Sequence, residues 1–542
     1  MSSYTTTTKR SIGHIVIFVI AGIILNWAVI LILPAFKENG LLSALELAPK
    51  MLLRPFDITF YPESRPLLVV VNILYVLAIL YYLNSPKKYR YGKEYGSAEW
   101  GDPLKIVKKY RDKKADQNLL LTKNMMLSLN TFKHRRNLNV LVIGGSGSGK
   151  SRAYVVPNIL QKNANYVVLD PSGELEKMTR TTLEADGYKV LKLDLENMFE
   201  SDRSNPFVNI EKEEDILSLI KCYVTSTEDK GTTKGDQFWI HAEQMFLTAC
   251  MLAVWKYAIP EEQNFTTIIE MHKAASESED SDEISALDLL FKEIRRKYPD
   301  CLSVASYDRF KQGAEKTLQN ILITIGARIQ TLDLPGVRYL LSEDDLNIRE
   351  WNEKKMALFI CTPENDKSFN YIASMIYTQL FTLLYRMAKS SDAGRFERPI
   401  MFFMDEFANV VLPDGFPEII ATARKYNIGI SVIIQSLAQI KSLYEKTWEA
   451  IVGNCDTLLY LGGNEQASHK YVNQMLGRET IDTKTFSSSK GRSGSYTTNL
   501  NLQGRELMGI NEIRELDNDL AILLVRGEKP MIDQKLKIVT KI

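Results

Sequence analysis

The chain has 542 residues, which is too long for one ordinary hydrophobic core and indicates roughly two to four structural units. Its hydrophobic content of 45% and charged content of 25% exclude an intrinsically disordered chain, and the net charge of +1 gives no overall indication of a nucleic-acid-binding protein. The five cysteines contain no C-x-x-C pair, so neither a zinc site nor a disulfide framework is indicated, and reduced thiols are the simplest interpretation.

Two apolar segments near the N-terminus predict a membrane anchor over residues 1–86. They cover about 12–34 and 66–84. The first is long enough for the roughly 20 apolar residues that cross a bilayer core, and the second is slightly shorter. A cleaved signal peptide is the alternative for the first segment, although its apolar stretch is longer than usual and a second one follows closely. Lys9 and Arg10 precede the first segment, and four basic residues follow the second. The positive-inside rule therefore places both termini and the main domain in the cytoplasm, with a short external loop.

The next predicted element is a buried strand that runs directly into a glycine-rich loop. Residues 139–143 are β-branched and bounded by glycine, which is typical of a strand inside a sheet. The loop matches the pattern G-x-x-x-x-G-K-[ST] and consists of Gly144, Gly145, Ser146, Gly147, Ser148, Gly149, Lys150 and Ser151. A flexible Gly/Ser linker is the alternative, but a linker has no reason to follow a strand and to end in Gly-Lys-Ser. The pattern therefore predicts a phosphate-binding loop for ATP.

Each part of this loop has a chemical role. The glycines let the backbone curl so that successive N–H groups face the β-phosphate. Lys150 is predicted to reach the β- and γ-phosphates, and the hydroxyl of Ser151 is predicted to bind Mg²⁺. Arg152 opens a predicted helix over 152–161, whose positive N-terminal end faces the same anion.

A second strand supplies the acids that nucleotide hydrolysis needs. Residues 399–404 form an apolar run that ends at Asp405 and Glu406. Asp405 is predicted to hold the metal ion, and Glu406 is predicted to polarise the attacking water. Adjacent acids alone are common on protein surfaces. At the end of an apolar strand, in a chain with a complete phosphate loop, they indicate an ATP- and Mg²⁺-dependent hydrolase.

Three further residues are candidates for the same site. Asp170 follows a predicted strand over 166–169, and Gln435 follows another over 428–434. Ligands of doubly wound sheets bind at such carboxyl ends, so Asp170 is predicted to line the nucleotide site and Gln435 to sense the γ-phosphate. A turn or cap residue is the alternative for both. Arg424 lies at the end of the preceding helix, where spacing alone favours a solvated basic residue.

Residues 211–345 predict an all-α domain inserted into the sheet, because helical periodicity replaces the strand pattern. Helices are predicted over 215–224, 238–258, 286–298 and 313–332. Residues 87–210 and 346–542 then form one discontinuous nucleotide-binding domain. Two polar segments, 276–283 and 487–499, are predicted to be a solvated loop and a disordered loop respectively. A mobile loop that faces a central channel is the alternative for the second.

Positive charge is concentrated in residues 87–136, which contain fourteen Lys and Arg residues against five Asp and Glu. Contact with anionic lipid is the simpler explanation for such a segment next to a membrane span. Contact with DNA phosphates is the alternative.

The order of these motifs resembles that of the type IV secretion coupling proteins, the TraG-like ATPases of conjugative DNA transfer. The resemblance covers nearly the whole chain, and the combination is much more specific than any single motif. After the two apolar segments and around the phosphate loop, the matching pieces are Gly96-Ser97-Ala98-Glu99-Trp100, Asp170-Pro171-Ser172-Gly173-Glu174, Ser204-Asn205-Pro206-Phe207, Phe238-Trp239, Asp405-Glu406-Phe407-Ala408-Asn409, Ile434-Gln435-Ser436, Gly477-Arg478 and Gly504-Arg505-Glu506-Leu507-Met508.

The resemblance implies an α/β fold: a RecA-like P-loop NTPase domain with an inserted all-α domain, preceded by a two-helix transmembrane hairpin in the bacterial cell membrane. It also implies a homo-hexamer with ATP between subunits, a helical insertion that receives a relaxase bound to single-stranded DNA, and contact with secretion-channel subunits. Arg424 matches the position of an arginine finger that acts across the subunit interface. Many members have Lys where this chain has Ser172, so a phosphate contact from that residue is not expected.

Two other functions share part of this pattern. A chromosome-segregating pump for double-stranded DNA is also a membrane-anchored RecA-like hexamer, but such pumps usually carry more spans, a long linker and a C-terminal winged-helix module. A membrane adaptor that uses nucleotide only as a structural ligand is the other alternative. Such sites often lose the catalytic acid, whereas this chain retains Lys150, Asp405 and Glu406.

Overall fold

The computed structural model of the chain describes most of its length, in ranges separated by short gaps. The described ranges are 16–31, 65–84, 92–228, 237–276, 284–363, 365–413, 415–488 and 496–537, together with the single residues 53, 56 and 62. Contacts within the chain divide it into two compact units, residues 1–94 and 95–542.

The first unit contains two apolar helices, Val16–Leu31 and Arg65–Asn84. Within the described residues, only the second helix is long and apolar enough to cross a bilayer, over Arg65–Tyr82. The ends of the first predicted span, 12–15 and 32–34, lie outside the described residues. The structure therefore supports one apolar helix of membrane-spanning length, and the two-span hairpin remains a prediction.

The two helices of this unit pack against each other in antiparallel orientation. The side-chain amides of Asn26 and Asn72 exchange two hydrogen bonds of 3.0 and 2.7 Å. The hydroxyl of Tyr75 donates to the carbonyl oxygen of Phe18 at 2.8 Å. Polar contacts of this kind hold helices together in an apolar medium, because water is absent as a competing partner.

The second unit is built on a central sheet and two small antiparallel hairpins. The strands in the described ranges, numbered in chain order, are β1 (Asn118–Leu120), β2 (Met126–Ser128), β3 (Val140–Ile143), β4 (Asn165–Leu169), β5 (Lys189–Asp194), β6 (Met356–Cys361), β7 (Ile400–Met404), β8 (Ile428–Ile434), β9 (Thr457–Tyr460), β10 (Arg478–Ser488), β11 (Tyr496–Glu506), β12 (Leu520–Val525) and β13 (Met531–Gln534). The four strands predicted from the sequence are confirmed as β3, β4, β7 and β8.

The central sheet has nine strands in the order β13-β12-β9-β3-β8-β7-β4-β6-β5. Seven neighbouring strands, from β9 to β5 in that order, are parallel. β12 is antiparallel to both of its neighbours, so β13 again runs in the direction of the parallel strands. The carboxyl ends of β3, β4, β7 and β8 consequently meet at one edge of the sheet, where ligands of such folds bind.

Both faces of this sheet are covered, which explains why its strands are almost continuously apolar. Leu141 and Ile143 of β3 join the hydrophobic core on one face, and Val140 and Val142 join the core on the other. The first core continues without interruption into the helices of the insertion. The separation of residues 95–542 into a sheet domain and an all-α domain therefore remains a prediction.

Helices on and around the sheet connect its strands. In the described ranges these are Pro103–Tyr110, Thr131–His134, Val156–Ile159, Glu174–Ala185, Asn370–Ser390, Phe416–Thr422, Leu437–Leu443, Trp448–Gly453, Gln466–Leu476 and Ile510–Arg514. The longest of them, Asn370–Ser390, is buried along most of its length and packs against the first helix of the insertion.

The segment between β5 and β6 contains no strand among its described residues, as predicted. Its helices are Glu213–Ser226, Gln237–Tyr257, Phe265–Ser276, Ala286–Lys297, Leu302–Lys311, Glu315–Ile329 and Pro335–Leu340. The four predicted helices are confirmed within a few residues, and three further helices were not predicted. In one of these, Leu302–Lys311, Ser303 and Ser306 occupy buried positions, so its apolar stripe is interrupted.

The sequence interpretation of residues 487–499 needs a partial correction. Ser487, Ser488 and residues 496–499 lie in β10 and β11, which pair over eleven residues in a long antiparallel hairpin. Residues 489–495 lie outside the described ranges, as does almost all of the acidic segment 276–283. Cross-strand pairing was not visible in the sequence, because the many Ser and Gly residues of this segment carry little strand signal and outweigh its threonines.

Candidate functional site

The phosphate loop follows β3 at the carboxyl edge of the sheet and is bonded to the strands on both sides. The N–H of Gly144 donates to the carbonyl of Ile434 at 3.1 Å, and the N–H of Gly145 donates to Gly462 at 2.9 Å. Gly147 and Gly149 have φ angles of 72° and 91°, which other residues rarely adopt. The glycines are therefore required by the backbone path of the loop.

The interior of the loop has no room for an additional carbon atom at its first position. A Cβ atom on Gly144 would lie 2.3 Å from Oγ of Ser148. That Oγ atom is buried, and no partner for it occurs in the described part of the chain. A curled backbone with an unsatisfied buried hydroxyl is what a loop that surrounds phosphate oxygens requires.

Lys150 and Ser151 begin the helical segment that follows the loop. Lys150 is 8% exposed, and its Nζ donates to the carbonyl of Gly145 at 3.2 Å. The predicted start at residue 152 is wrong by two residues, because helical geometry begins at Lys150 with a π-helical segment to Val155 and continues to Ile159. Arg152 lies on this segment with an exposed side chain.

The serine of the phosphate loop contacts the acid at the end of β7. Oγ of Ser151 donates to Oδ2 of Asp405 at 2.9 Å. Asp405 is 7% exposed, and burial raises the pKa of its carboxyl group, although the hydrogen bond from Ser151 and the charge of Lys150 oppose that shift. Residues that are 254 positions apart in the sequence thus bring a hydroxyl and a carboxylate together, as the motifs predict.

Glu406 is held in a defined orientation by two amides. Its Oε1 accepts a hydrogen bond from Nε2 of Gln435 at 2.8 Å, and its Oε2 accepts one from Nδ2 of Asn409 at 2.7 Å. Glu406 has a φ angle of 52°, an uncommon conformation for a residue with a side chain. Such backbone strain persists only where the surroundings fix it, and it is concentrated at functional sites.

Asp170 lies at the end of β4, next to β7. Its side chain is 1% exposed, and Oδ2 accepts a hydrogen bond from the N–H of Glu176 at 2.9 Å. Within the described residues Oδ1 has no partner. Burial raises the pKa of Asp170 to about 6, and the charge of Asp405 adds to this effect. Asp170 is therefore both a cap for the next helix and a buried acid beside Asp405.

Arg424 lies at the opposite edge of the sheet. It belongs to a short helical turn, Ala423–Tyr426, that precedes β8, and its Nη2 donates to the carbonyl of Thr131 at 3.0 Å. β8 has seven residues, so roughly 20 Å of strand separates Arg424 from the phosphate loop of its own chain. Arg424 therefore cannot contact a nucleotide bound at the phosphate loop of its own chain.

Two residues of the site were missed by the sequence interpretation. Asn409 belongs to the Asp-Glu-Phe-Ala-Asn motif, and its position three residues after Glu406 on a helical turn is a usable signal. Lys535 follows β13 near the C-terminus and donates to the carbonyls of Ser148 and Leu461, both at 2.8 Å. Nothing in the sequence connects Lys535 with the phosphate loop.

The residues present fit a magnesium nucleotide. No group of three or more metal-binding side chains occurs in the described ranges. Mg²⁺ is usually bound through one or two carboxylates together with the phosphates of the substrate, so it needs no such group. The hydroxyl of Ser151 and the carboxylate of Asp405 provide suitable oxygen ligands beside a loop built for phosphate.

Comparison with protein families identifies the chain. The sequence model of the family described as "Type IV secretory system Conjugative DNA transfer" matches residues 92–538. The chain belongs to this family. The resemblance stated from the motifs is therefore confirmed over residues 92–538, nearly all of the second unit.

The chain is also similar to two proteins of conjugation and type IV secretion, at low sequence identity. The chain is 20% identical to "Protein VirD4" of Rhizobium rhizogenes over 73% of its own length and 58% of the relative. It is 22% identical to "Conjugal transfer protein TraG" of Rhizobium radiobacter over 72% of its own length and 60% of the relative. The matched part thus spans less than two thirds of the length of these relatives.

Solved structures of the coupling protein TrwB share the fold. The unbound form is 16% identical, with a TM-score of 0.58, and the match covers 84% of this chain and 97% of that one. TrwB in complex with the ATP analogue ADPNP has a TM-score of 0.55, with 82% and 97% covered. The likeness confirms the predicted α/β, RecA-like architecture.

Proposed function

We propose that this protein is the ATP-hydrolysing coupling protein of a type IV secretion system, which recruits a relaxase–DNA complex and drives its transfer to the conjugation channel. The observation that carries the proposal is the contact between Ser151 and Asp405, beside a Glu406 carboxylate held by two amides, in a chain of the conjugative DNA transfer family. TrwB has been solved with ADPNP and with ADP and Mg²⁺, which supports the same ligands here.

The proposed division of roles follows from the geometry of the site. The N–H groups of the loop and the ammonium of Lys150 bind the phosphates; the ammonium has three donors and makes one hydrogen bond within the described residues, to the carbonyl of Gly145. Ser151 and Asp405 hold Mg²⁺, which when bound neutralises charge on the phosphates. Asp170, buried beside Asp405, lines the metal side of the site.

Glu406 is proposed to orient water and to accept its proton. Each oxygen of an ionised carboxylate has two lone pairs, so the hydrogen bonds from Gln435 and Asn409 leave acceptor capacity for a water molecule. The amides fix the carboxylate against rotation, so the base is already oriented when the substrate binds. Gln435 also connects Glu406 to the end of β8, through which the state of the γ-phosphate can reach the rest of the sheet.

Arg424 is proposed to act in a neighbouring subunit. Its distance from the phosphate loop of its own chain excludes a role there, whereas a ring of subunits would bring it to the nucleotide of the next copy. An arginine finger stabilises the charge that develops in phosphoryl transfer and contributes about 10³–10⁵ in rate in other NTPases. This proposal includes the homo-hexamer, with nucleotide between subunits.

The remaining parts of the chain are proposed to anchor the protein in the membrane and to bind its substrate. The two helices of residues 1–86 would anchor it in the bacterial membrane, with the main domain in the cytoplasm. The helical segment 211–345 would receive the relaxase–DNA cargo. Several basic residues of 87–136 already pair with acids, for example Lys109 with Glu528, so contact of the others with lipid or DNA remains a prediction.

Replacement of Glu406 by Gln tests the proposed chemistry. The variant keeps the size of the side chain but cannot accept a proton, so ATP hydrolysis should fall by about 10²–10⁴ while ADP binding persists. Donor DNA transfer in a mating assay should be lost. The exposed Glu418→Gln variant is the matched control and should behave as wild type. Hydrolysis or transfer at the wild-type level in Glu406→Gln would contradict the proposal.

A further inference from the structure

Lys535 is a buried lysine whose side chain bonds to two backbone carbonyls. It is 7% exposed, and its Nζ donates to the carbonyls of Ser148 and Leu461 at 2.8 Å each. The described part of the chain shows no salt bridge to it. A buried ammonium without a paired carboxylate is costly, and it persists only where hydrogen bonds compensate for lost hydration.

The position of Lys535 is fixed by contacts at the end of β13. Its own N–H donates to the carbonyl of Asp519 at 2.8 Å. The preceding Asp533 accepts hydrogen bonds from the hydroxyl of Thr122 at 2.6 Å and from the side-chain amide of Asn124 at 2.7 Å. The end of β13, two residues before the lysine, is therefore anchored to the turn between β1 and β2, and the lysine side chain extends from there to the phosphate loop.

The two carbonyls that Lys535 holds belong to the two segments that form the loop and its support. Ser148 lies in the phosphate loop, and Leu461 follows β9. The neighbour of Leu461, Gly462, accepts the hydrogen bond from the N–H of Gly145 at the start of the loop. The loop is thus joined to the Leu461–Gly462 segment at two places: directly through Gly145, and through Lys535 at Ser148.

Peptide geometry gives this contact a consequence for anion binding. In a planar trans peptide the C=O and the following N–H point in opposite directions. Because Lys535 holds the carbonyl of Ser148, the N–H of Gly149 points to the opposite side of the peptide, away from the ammonium. Oγ of Ser148, buried and without a partner in the described residues, lies on the same turn. The ammonium also places a positive charge in contact with the backbone of the loop.

We infer that Lys535 is a positioning residue for nucleotide binding: it orients the Ser148–Gly149 peptide and strengthens the attraction of the loop for the anionic phosphates. The inference rests on the proposed function, because it requires that the loop binds a nucleotide. Burial lowers the pKa of Lys535, and the charges of Asp519 and Asp517 oppose this shift. A phosphate group close to the loop would favour the charged ammonium further.

The test is the affinity of the full-length, detergent-purified chain for ADP with Mg²⁺, measured by calorimetry, together with the melting temperature of the nucleotide-free protein. Lys535→Met keeps the length of the side chain but has no donor, and the dissociation constant should rise tenfold or more. Lys535→Arg should restore affinity to within threefold of wild type, because it also donates two hydrogen bonds and carries charge. The exposed Lys537→Met is the matched control and should leave the dissociation constant unchanged.

Two results would overturn the inference. One is a lower melting temperature for Lys535→Met with an unchanged dissociation constant, which would assign the lysine a merely structural role. The other is wild-type affinity in Lys535→Gln, which serves if Lys535→Met does not fold. If the wild-type chain binds no nucleotide, the proposed function fails instead, so the two failures are distinguishable.

Discussion

At the scale of single residues, three acids at one edge of the sheet have different surroundings, which suit the different roles proposed for them. Asp405 is buried and receives a hydrogen bond from Ser151. Glu406 is less buried and held by two amides, which suits a base that must exchange protons with water. Asp170 is buried with one oxygen unpartnered among the described residues. These surroundings are compatible with the separate roles that the motifs predict for the three carboxylates.

The raised pKa of Asp170 predicts a specific pH dependence of stability. Its folded-state pKa of about 6 lies above the ordinary value near 4, so between these values the native state holds a proton that the unfolded state has released. The free energy of unfolding therefore falls as the pH rises through this window, and the loss persists above it. The full effect is at most about 3 kcal/mol.

Asp170→Asn removes this titration. The nucleotide-free variant should melt at a higher temperature than wild type at pH 7.5, and the difference should shrink toward zero near pH 4. Thermal unfolding followed by circular dichroism at a series of pH values measures this. The exposed Asp300→Asn should show no such trend. If the difference in melting temperature between variant and wild type is the same at every pH, burial of the Asp170 charge is not the cause of that difference.

At the scale of elements, the two N-terminal helices share an asparagine pair in addition to the hydrogen bond from Tyr75 to Phe18. Asn26 and Asn72 satisfy each other through two hydrogen bonds. Each amide also donates to a carbonyl of its own helix, Asn26 to Gly22 and Asn72 to Leu68, both at 2.8 Å. Loss of one amide therefore leaves the other with an unpaired oxygen and one unpaired N–H in an apolar medium, whereas replacement of both leaves no orphan. The contact also bears on the signal-peptide alternative, because a cleaved first segment could not pair with the second.

Thiol cross-linking of the helix pair tests this contact. The rings of Phe18 and Tyr82 lie 5.7 Å apart, so Phe18→Cys combined with Tyr82→Cys should be joined in membranes by a short bis-maleimide, which spans a longer gap than a disulfide. Adding Asn72→Leu should lower the equilibrium between paired and unpaired helices about fivefold, corresponding to about 1 kcal/mol. Adding Asn26→Leu as well should restore the yield. Absence of a cross-link in the unmodified background would contradict the hairpin.

At the scale of the whole molecule, the sheet separates the phosphate loop from Arg424. The loop and Glu406 lie at the carboxyl edge, and Arg424 lies at the amino end of β8. Under the role proposed for Arg424, a single chain contains both halves of a hydrolytic site but cannot join them. On that proposal, activity should depend on assembly.

Mixing two inactive variants tests assembly. Arg424→Ala and Glu406→Gln should each reduce ATP hydrolysis strongly when expressed alone. In mixed rings, about a quarter of the interfaces combine an intact Glu406 site with an intact Arg424 from the neighbour, so activity should return to a comparable fraction of wild type. Differently tagged, co-purified chains allow the measurement. No recovery in verified mixed rings would assign Arg424 only its contact with the carbonyl of Thr131.

The sequence by itself determined the local parts of the site and the class of fold. The phosphate loop, Asp405 and the strands β3, β4, β7 and β8 were predictable, because a buried strand next to a glycine-rich turn has a strong local pattern. The four main helices of the insertion were predictable from their periodicity. Helix Leu302–Lys311 was not, because buried serines interrupt its apolar face.

Only the tertiary structure decided which distant residues share the site. The contact of Ser151 with Asp405 was expected from the motifs. The hydrogen bonds that two side-chain amides donate to Glu406, and the hydrogen bond from Lys535 to the carbonyl of Ser148, were not expected. Lys535 reaches the loop because β13 runs parallel to β3 across two intervening strands, so their carboxyl ends lie at one edge. Strand order is set by packing of the entire sheet, and no local pattern in the sequence encodes it.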